Sequence, residues 1–213
     1  MKNYNKILLQ LLAAFVLLML SAGQSFAQDS TEEAPVIKKV KPVKNTFGSV
    51  FIMDNQSVMV PIKGTLEMAI QHRFGTVDNG KKDLYGIFAP SNIRIGLSYA
   101  PLKKLLVGAG VTKERMQVDM FAKYALLEQT PGIMPVSATY FGNVVIDARD
   151  KSNFRNSVDK FSYFNQLIIA RKITDEFSVQ VAPSFSWFNN VEAYVDSKGN
   201  IREKMHNYNF TVS

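Results

Sequence analysis

The chain has 213 residues, 46% of them hydrophobic and 20% charged, and 25 Lys and Arg against 18 Asp and Glu give a net charge of +7. That apolar content excludes a disordered or collagen-like chain, and the absence of heptad repetition excludes a coiled coil. With no cysteine and 2 histidines, disulfides, thiol catalysis, Cys-based metal sites and a thiol-linked lipid anchor are ruled out, so no metal and no cofactor is expected.

Lys2 and Lys6 precede an apolar run from Ile7 to Leu20, broken only by Gln10, and Ser25-Phe26-Ala27 offers small residues at the cleavage positions. Residues 1–27 therefore read as a signal peptide. The run is shorter than the roughly 20 residues of a spanning helix, which favours cleavage and export over a membrane anchor. Residues 28–45 are charged, carry Pro35 and Pro42 and hold no apolar period, so they read as an exposed leader or linker. Its lysines, Lys38, Lys39, Lys41 and Lys44, suit a solvated tail better than a lipid-binding patch. No long basic block follows, and nucleic-acid binding is not expected. Residues 46–213 form the folded domain.

No later segment reaches the roughly 18 apolar residues of a transmembrane helix, and the pattern is one of strands. Leu66, Met68, Ile70, His72 and Phe74 alternate with Glu67, Ala69, Gln71 and Arg73. Ile93, Ile95, Leu97 and Tyr99 repeat the pattern opposite Arg94, Gly96 and Ser98, and Leu105, Val107, Ala109 and Val111 make a third apolar row. A fourth runs from Met116 to Leu126, where good helix formers make a short helix over 115–129 the alternative to a strand. A fifth row runs from Val136 to Ile146 and a sixth strand over 161–172, whose facing the residues leave ambiguous. The seventh runs from Phe177 to Trp187, and Tyr208, Phe210 and Val212 begin an eighth. The strands are long for a soluble sheet and match the 9 to 11 or so residues of a tilted membrane strand.

The connections are unequal. Residues 75–91, 148–158 and 189–205 are long and polar, whereas Pro101-Leu102-Lys103-Lys104, Thr130-Pro131-Gly132 and Thr174-Asp175-Glu176 are short. Long loops at one end and short turns at the other are the plan of an outer-membrane barrel; only the short Lys113-Glu114-Arg115 connection departs from it. Phe74, Tyr99, Tyr124, Tyr140, Phe177, Trp187 and Tyr208 fall near strand ends, where aromatic girdles would sit. The expected fold is all-β, an antiparallel up-and-down transmembrane β-barrel of about eight strands.

Gln56-Ser57-Val58, then Lys63 to Gly75 with its closing His72-Arg73-Phe74-Gly75, then Ile93 to Tyr99, resemble an uncharacterised β-barrel family of Bacteroidetes outer membranes, a domain of unknown function. The similarity runs from about Asn45 to the end. It implies a barrel and supplies no chemistry. Members of that family run on with further strands, which implies a truncated copy or an incomplete gene, and the ending Phe210-Thr211-Val212-Ser213 lacks the usual terminal aromatic. An unclosed barrel would leave edges that lipid cannot satisfy.

With the apolar rows toward lipid, Glu67, Arg73, Arg94, Asp119, Lys123 and Asp147 face the lumen together with Gln71, Gln117, Asn143 and Gln180. Such mixed charges suit an ion-paired filling, for example Glu67 with Arg94, more than a pore selecting small polar solutes. The expected role is structural, binding or passive, in an outer membrane whose lipid is the surrounding partner, and not enzymatic. Two other readings stay open. In a soluble periplasmic barrel the same rows would turn inward around an apolar ligand. In a lipid-modifying enzyme His72 or His206 would act near Ser91, Asp83 and Asp78, but no Gly-x-Ser-x-Gly elbow is present. Gly108-Ala109-Gly110 precedes no helix, so it allows close packing in a strand and does not bind phosphate. On these facings Ile95→Arg should block membrane assembly and Arg94→Ala should leave it intact.

Overall fold

The computed structural model describes residues 40–53, 55–191, 194–195, 199–202 and 207–213. The expected signal peptide, most of the leader and His206 lie outside them. The described chain starts with a small hairpin, β1 (Phe51–Ile52) with β2 (Asn55–Gln56). It continues through β3 (Leu66–Arg73), β4 (Asn92–Leu102), β5 (Leu105–Thr112), β6 (Gln117–Leu127), β7 (Ser137–Asp147) and β8 (Phe161–Lys172). Next come β9 (Ser178–Val181) and β10 (Pro183–Phe188), a second hairpin of β11 (Tyr194–Val195) and β12 (Ile201–Arg202), and finally β13 (Tyr208–Val212). From β3 to β8 every strand pairs antiparallel with the next in sequence; β8 then carries β9 and β10, and β10 pairs with β13. The result is one 9-stranded up-and-down sheet with β3 and β13 at its two ends. No helix among the described residues is long and apolar enough to cross a membrane.

Period-two alternation explains the wall. Leu66, Met68, Ile70, Leu97, Val111, Met120 and Tyr140 lie on the outer face and are exposed, Ile70 at 65%. On the other face of the sheet, Leu106, Asp119, Lys123, Thr139, Phe141 and Gln166 are buried. The segment over 117–127 is a strand and not a helix: Met120 stands opposite Ala109 of β5 on one side and Val144 of β7 on the other. A ladder on both edges satisfies its backbone, which outweighs the modest helix preference of its residues. The facing of β8 is resolved as well, with Tyr163 and Leu167 outward and Gln166, Ile168 and Ala170 inward. The seventh strand differs from the continuous one expected, because it divides into β9 and β10. Ala182 exchanges backbone hydrogen bonds with Ser213, so the next residue turns its nitrogen toward β8, and Pro183 has no N–H to donate there.

The connections sort by end. Lys103-Lys104 closes a two-residue turn between the paired Leu102 and Leu105, at the same end as 128–136 and 173–177. The opposite end carries the longer 74–91, 148–160 and 189–207. The short turn between β5 and β6 sits at that end and is made compact by Arg115 and Met116 in left-handed conformation, φ 54° and 49°. Asn92 pins it, accepting from the Glu114 N–H at 3.1 Å. In the loop after β3, a 3-10 segment over Val77–Asp83 leads to Gly86, whose φ of +90° and contact with the Gly75 backbone leave no room for a Cβ.

Residues 46–59 do not join the sheet. They lie on its inner face, where Thr46, Ser57 and Val58 are buried and Val58 packs into a cluster with Phe141, Ile168, Ala170 and Ala182. The domain thus holds its core between the wall and its own N-terminal segment.

Candidate functional site

The inner face has two halves. In the half toward the short turns, the wall grips the N-terminal segment largely through its main chain. Lys123, 0% exposed, donates from Nζ to the Val50 carbonyl at 3.3 Å and to Gln56 Oε1 at 3.1 Å. Thr139 Oγ1 donates to the Val58 carbonyl at 2.8 Å. Gln180 grips two points, accepting from the Val58 N–H at 2.9 Å and donating to the Gln56 carbonyl at 2.9 Å. Lower down, the Val43 N–H donates to the carbonyl of Gln129, whose side chain also exchanges hydrogen bonds with the backbone of Lys172. Lys123, Thr139 and Gln180 therefore each meet a backbone group that the segment would otherwise leave unsatisfied.

In the half toward the long loops the interior is a polar chamber of about 240 Å³. Its lining includes Gln71 and Arg73 of β3, Arg94 of β4, Gln117 and Asp119 of β6, and Asn143 of β7. Arg94 and Asp119 form a two-point ion pair, Nε to Oδ1 at 2.8 Å and Nη2 to Oδ2 at 2.6 Å. The bridge crosses the whole of β5. Gly110 stands directly opposite Asp119 and a Cβ there would strike the guanidinium, so the glycine makes the crossing possible. Asp119 is 4% exposed, and a carboxylate so placed requires such a partner. Phe51 and Gln56 of the N-terminal hairpin line the chamber too, together with Phe121, Phe141, Phe164 and Gln166.

A second cavity, about 250 Å³, shares Gln117 and Val145 with the first and rises toward the long loops. Asp147 lines it, held by Arg149 through Nε at 3.0 Å and Nη2 at 2.8 Å. The Arg149 guanidinium and the Lys160 ammonium both lie over the ring of Phe154, at 5.8 and 5.3 Å from its centroid. In the loop above, the Ser152 backbone N–H donates to Asp150 at 2.9 Å and holds that carboxyl below its ordinary value.

Of the six charged residues expected in the lumen, five fall in three places. Arg73, Arg94 and Asp119 meet in the chamber, Asp147 lines the cavity beyond it, and Lys123 is covered by the N-terminal segment. Glu67 lies on the inner-facing row of β3 and lines neither cavity. The expected ion pair of Glu67 with Arg94 is corrected. The residue opposite Arg94 on β3 is Gln71, and Glu67 lies opposite Ser98, about 13 Å further along the strand, while Gly110 leaves Asp119 within reach.

Sequence reasoning named Gln71, Gln117 and Asn143 of the lining but missed Gln166 and the phenylalanines, and it missed the role of the N-terminal segment. Gln56-Ser57-Val58 carried the only signal, as part of the resemblance, since it has no period of its own. His72 projects on the outward row and meets Phe74 edge-on at 4.5 Å between centroids, and Asp83 accepts from the Gly86 N–H at 3.0 Å. Among the described residues no group of His, Asp and Glu is arranged to hold a metal ion.

No curated protein and no solved structure matches the chain. A family model described as "Membrane bound beta barrel domain (DUF5777)" matches residues 47–213, from the inner segment through the whole meander, and the chain belongs to this family of membrane-bound β-barrel domains.

Proposed function

We propose that this is an outer-membrane protein whose barrel binds and does not conduct. One observation carries the reading: the segment 46–59 lies against the inner face, where its Thr46, Ser57 and Val58 are buried, and a polar chamber lies toward the long loops, lined in part by Phe51, Asn55 and Gln56 of the same segment. Long loops of such barrels face outward and short turns face the periplasm, so the chamber would receive a small polar solute from outside the cell. The signal peptide read in the sequence supports export of the chain by cleavage. The exposed apolar rows favour lipid as the surroundings over a soluble barrel with an apolar pocket, which needs the opposite facing. The role is read as non-enzymatic, since the sequence holds no Gly-x-Ser-x-Gly elbow and His72 projects outward against Phe74.

Fractionation of cells expressing the chain tests the location, with gel mobility compared before and after boiling. An outer-membrane species whose mobility changes on heating is the expected result. The same species in planar bilayers should give no steady conductance. Soluble periplasmic protein, or regular conductance steps, would overturn the reading.

A further inference from the structure

The chamber combines unmet acceptors, amide donors and aromatic faces around a neutralised charge. Gln166 is 2% exposed; its Nε2 donates to Ser184 Oγ at 3.0 Å, and that hydroxyl donates onward to the Ala182 carbonyl at 3.2 Å. The relay fixes the amide and leaves Oε1 buried without a hydrogen-bond partner among the described residues, as is Asn143 Oδ1 nearby. A buried acceptor without a donor is unfavourable, so both oxygens call for hydroxyl or amine hydrogens. They also repel an anion. The Arg94 charge is already met by Asp119, so the pair calls for no charged ligand. Phe121, Phe141 and Phe164 stand in a row, 5.5 and 6.0 Å between successive centroids, and ring faces carry the partial negative charge that attracts C–H hydrogens. The volume of 240 Å³ is the room of about eight waters, enough for one single-ring solute.

We propose that the chamber is a binding site for a neutral, hydroxyl-rich single-ring solute of the monosaccharide class. Its hydroxyls donate to Gln166 Oε1 and Asn143 Oδ1, its oxygens accept from the amides of Gln71 and Gln117, and one C–H face rests on phenylalanine. The proposal rests on the binding reading above and names the class of solute.

Saturation-transfer NMR on the folded, detergent-solubilised chain tests it with D-glucose, D-galactose, D-mannose and D-xylose, and with D-glucuronate and D-glucosamine as charged counterparts. At least one neutral sugar should show transfer and titrate in the millimolar range. Gln166→Leu and Asn143→Leu should each weaken that binding about fivefold. Heat-dependent gel mobility identifies the variants that fold, and Asn143→Leu carries the test if Gln166→Leu does not. A folded barrel that gives no transfer from any neutral sugar overturns the proposal, as does binding unchanged in the folded variants or stronger for a charged sugar. Ion conductance in bilayers would instead strike the underlying reading of a plugged barrel, so the two failures are separable.

Discussion

Arg94 on β4 and Asp119 on β6 are joined across an intervening strand, the guanidinium lying flat over Gly110 of β5. The pair is scarcely solvated, with side-chain exposures of 17% and 5%. Removing one member leaves the other charge buried, a loss of about 3 kcal/mol in comparable sites. Arg94→Ala is therefore expected to lower the temperature at which the barrel loses its fast-migrating gel form, and Arg94→Leu with Asp119→Leu to restore most of it. The sequence alone predicts that Arg94→Ala leaves membrane assembly intact; the carboxylate two strands away adds a cost in stability.

Gly110→Val isolates the same contact from the opposite side. It adds no charge and a favourable strand residue, yet it fills the space the guanidinium occupies. The expected destabilisation is about 1–3 kcal/mol, read in urea unfolding of the detergent-solubilised protein. A stabilised variant would mean that the bridge contributes nothing.

On the outward face Ile95 is exposed beside Leu97 and Val111. Ile95→Arg puts a cation against lipid, at a cost of about 2–4 kcal/mol near the bilayer midplane. Membrane assembly should fall sharply, while Ile95→Leu should assemble as the parent does. Comparison of outer-membrane yields checks both.

The inner segment can be removed outright. Deleting residues 46–59 takes away the partners of Lys123, Thr139 and Gln180 and opens the short-turn half of the interior. Where the deleted chain still shows a heat-dependent gel shift, it is expected to conduct ions in planar bilayers, unlike the whole chain. A folded, silent deletion variant would mean that the wall collapses inward to close the lumen.

Gly86 gives a test remote from the lumen. Its left-handed φ and its seat on the Gly75 backbone make Gly86→Ala strained and crowded together, by about 1–3 kcal/mol. Protease cleavage within residues 74–91 should become faster, with the gel shift of the barrel unchanged.

How much of this was legible follows from what each feature depends on. Alternation is local, so Leu66, Met68 and Ile70 announce an outward row without knowledge of any partner. Register is not local. Glu67 and Asp119 look equally available to Arg94 until the ladder puts Gln71 beside it and Gly110 between it and β6. Residues 46–59 were opaque for a different reason. They are recognised through main-chain groups, and a segment held that way needs no periodic side chains. The break before Pro183 was written in the proline itself, whose missing N–H matters only once its nitrogen is known to face β8.

The grip on the inner segment has a consequence for how its sequence can change. Lys123, Thr139 and Gln180 address mostly carbonyls and one N–H of the segment, groups that every residue but proline offers alike. The wall reads spacing along a backbone and is nearly blind to the letters it carries. Apart from the seat of Val58, the buried Ser57 and the Gln56 side chain that Lys123 addresses, the segment is free to drift while its fit persists, and the residues that hold it in place are the ones that drift would expose as fixed.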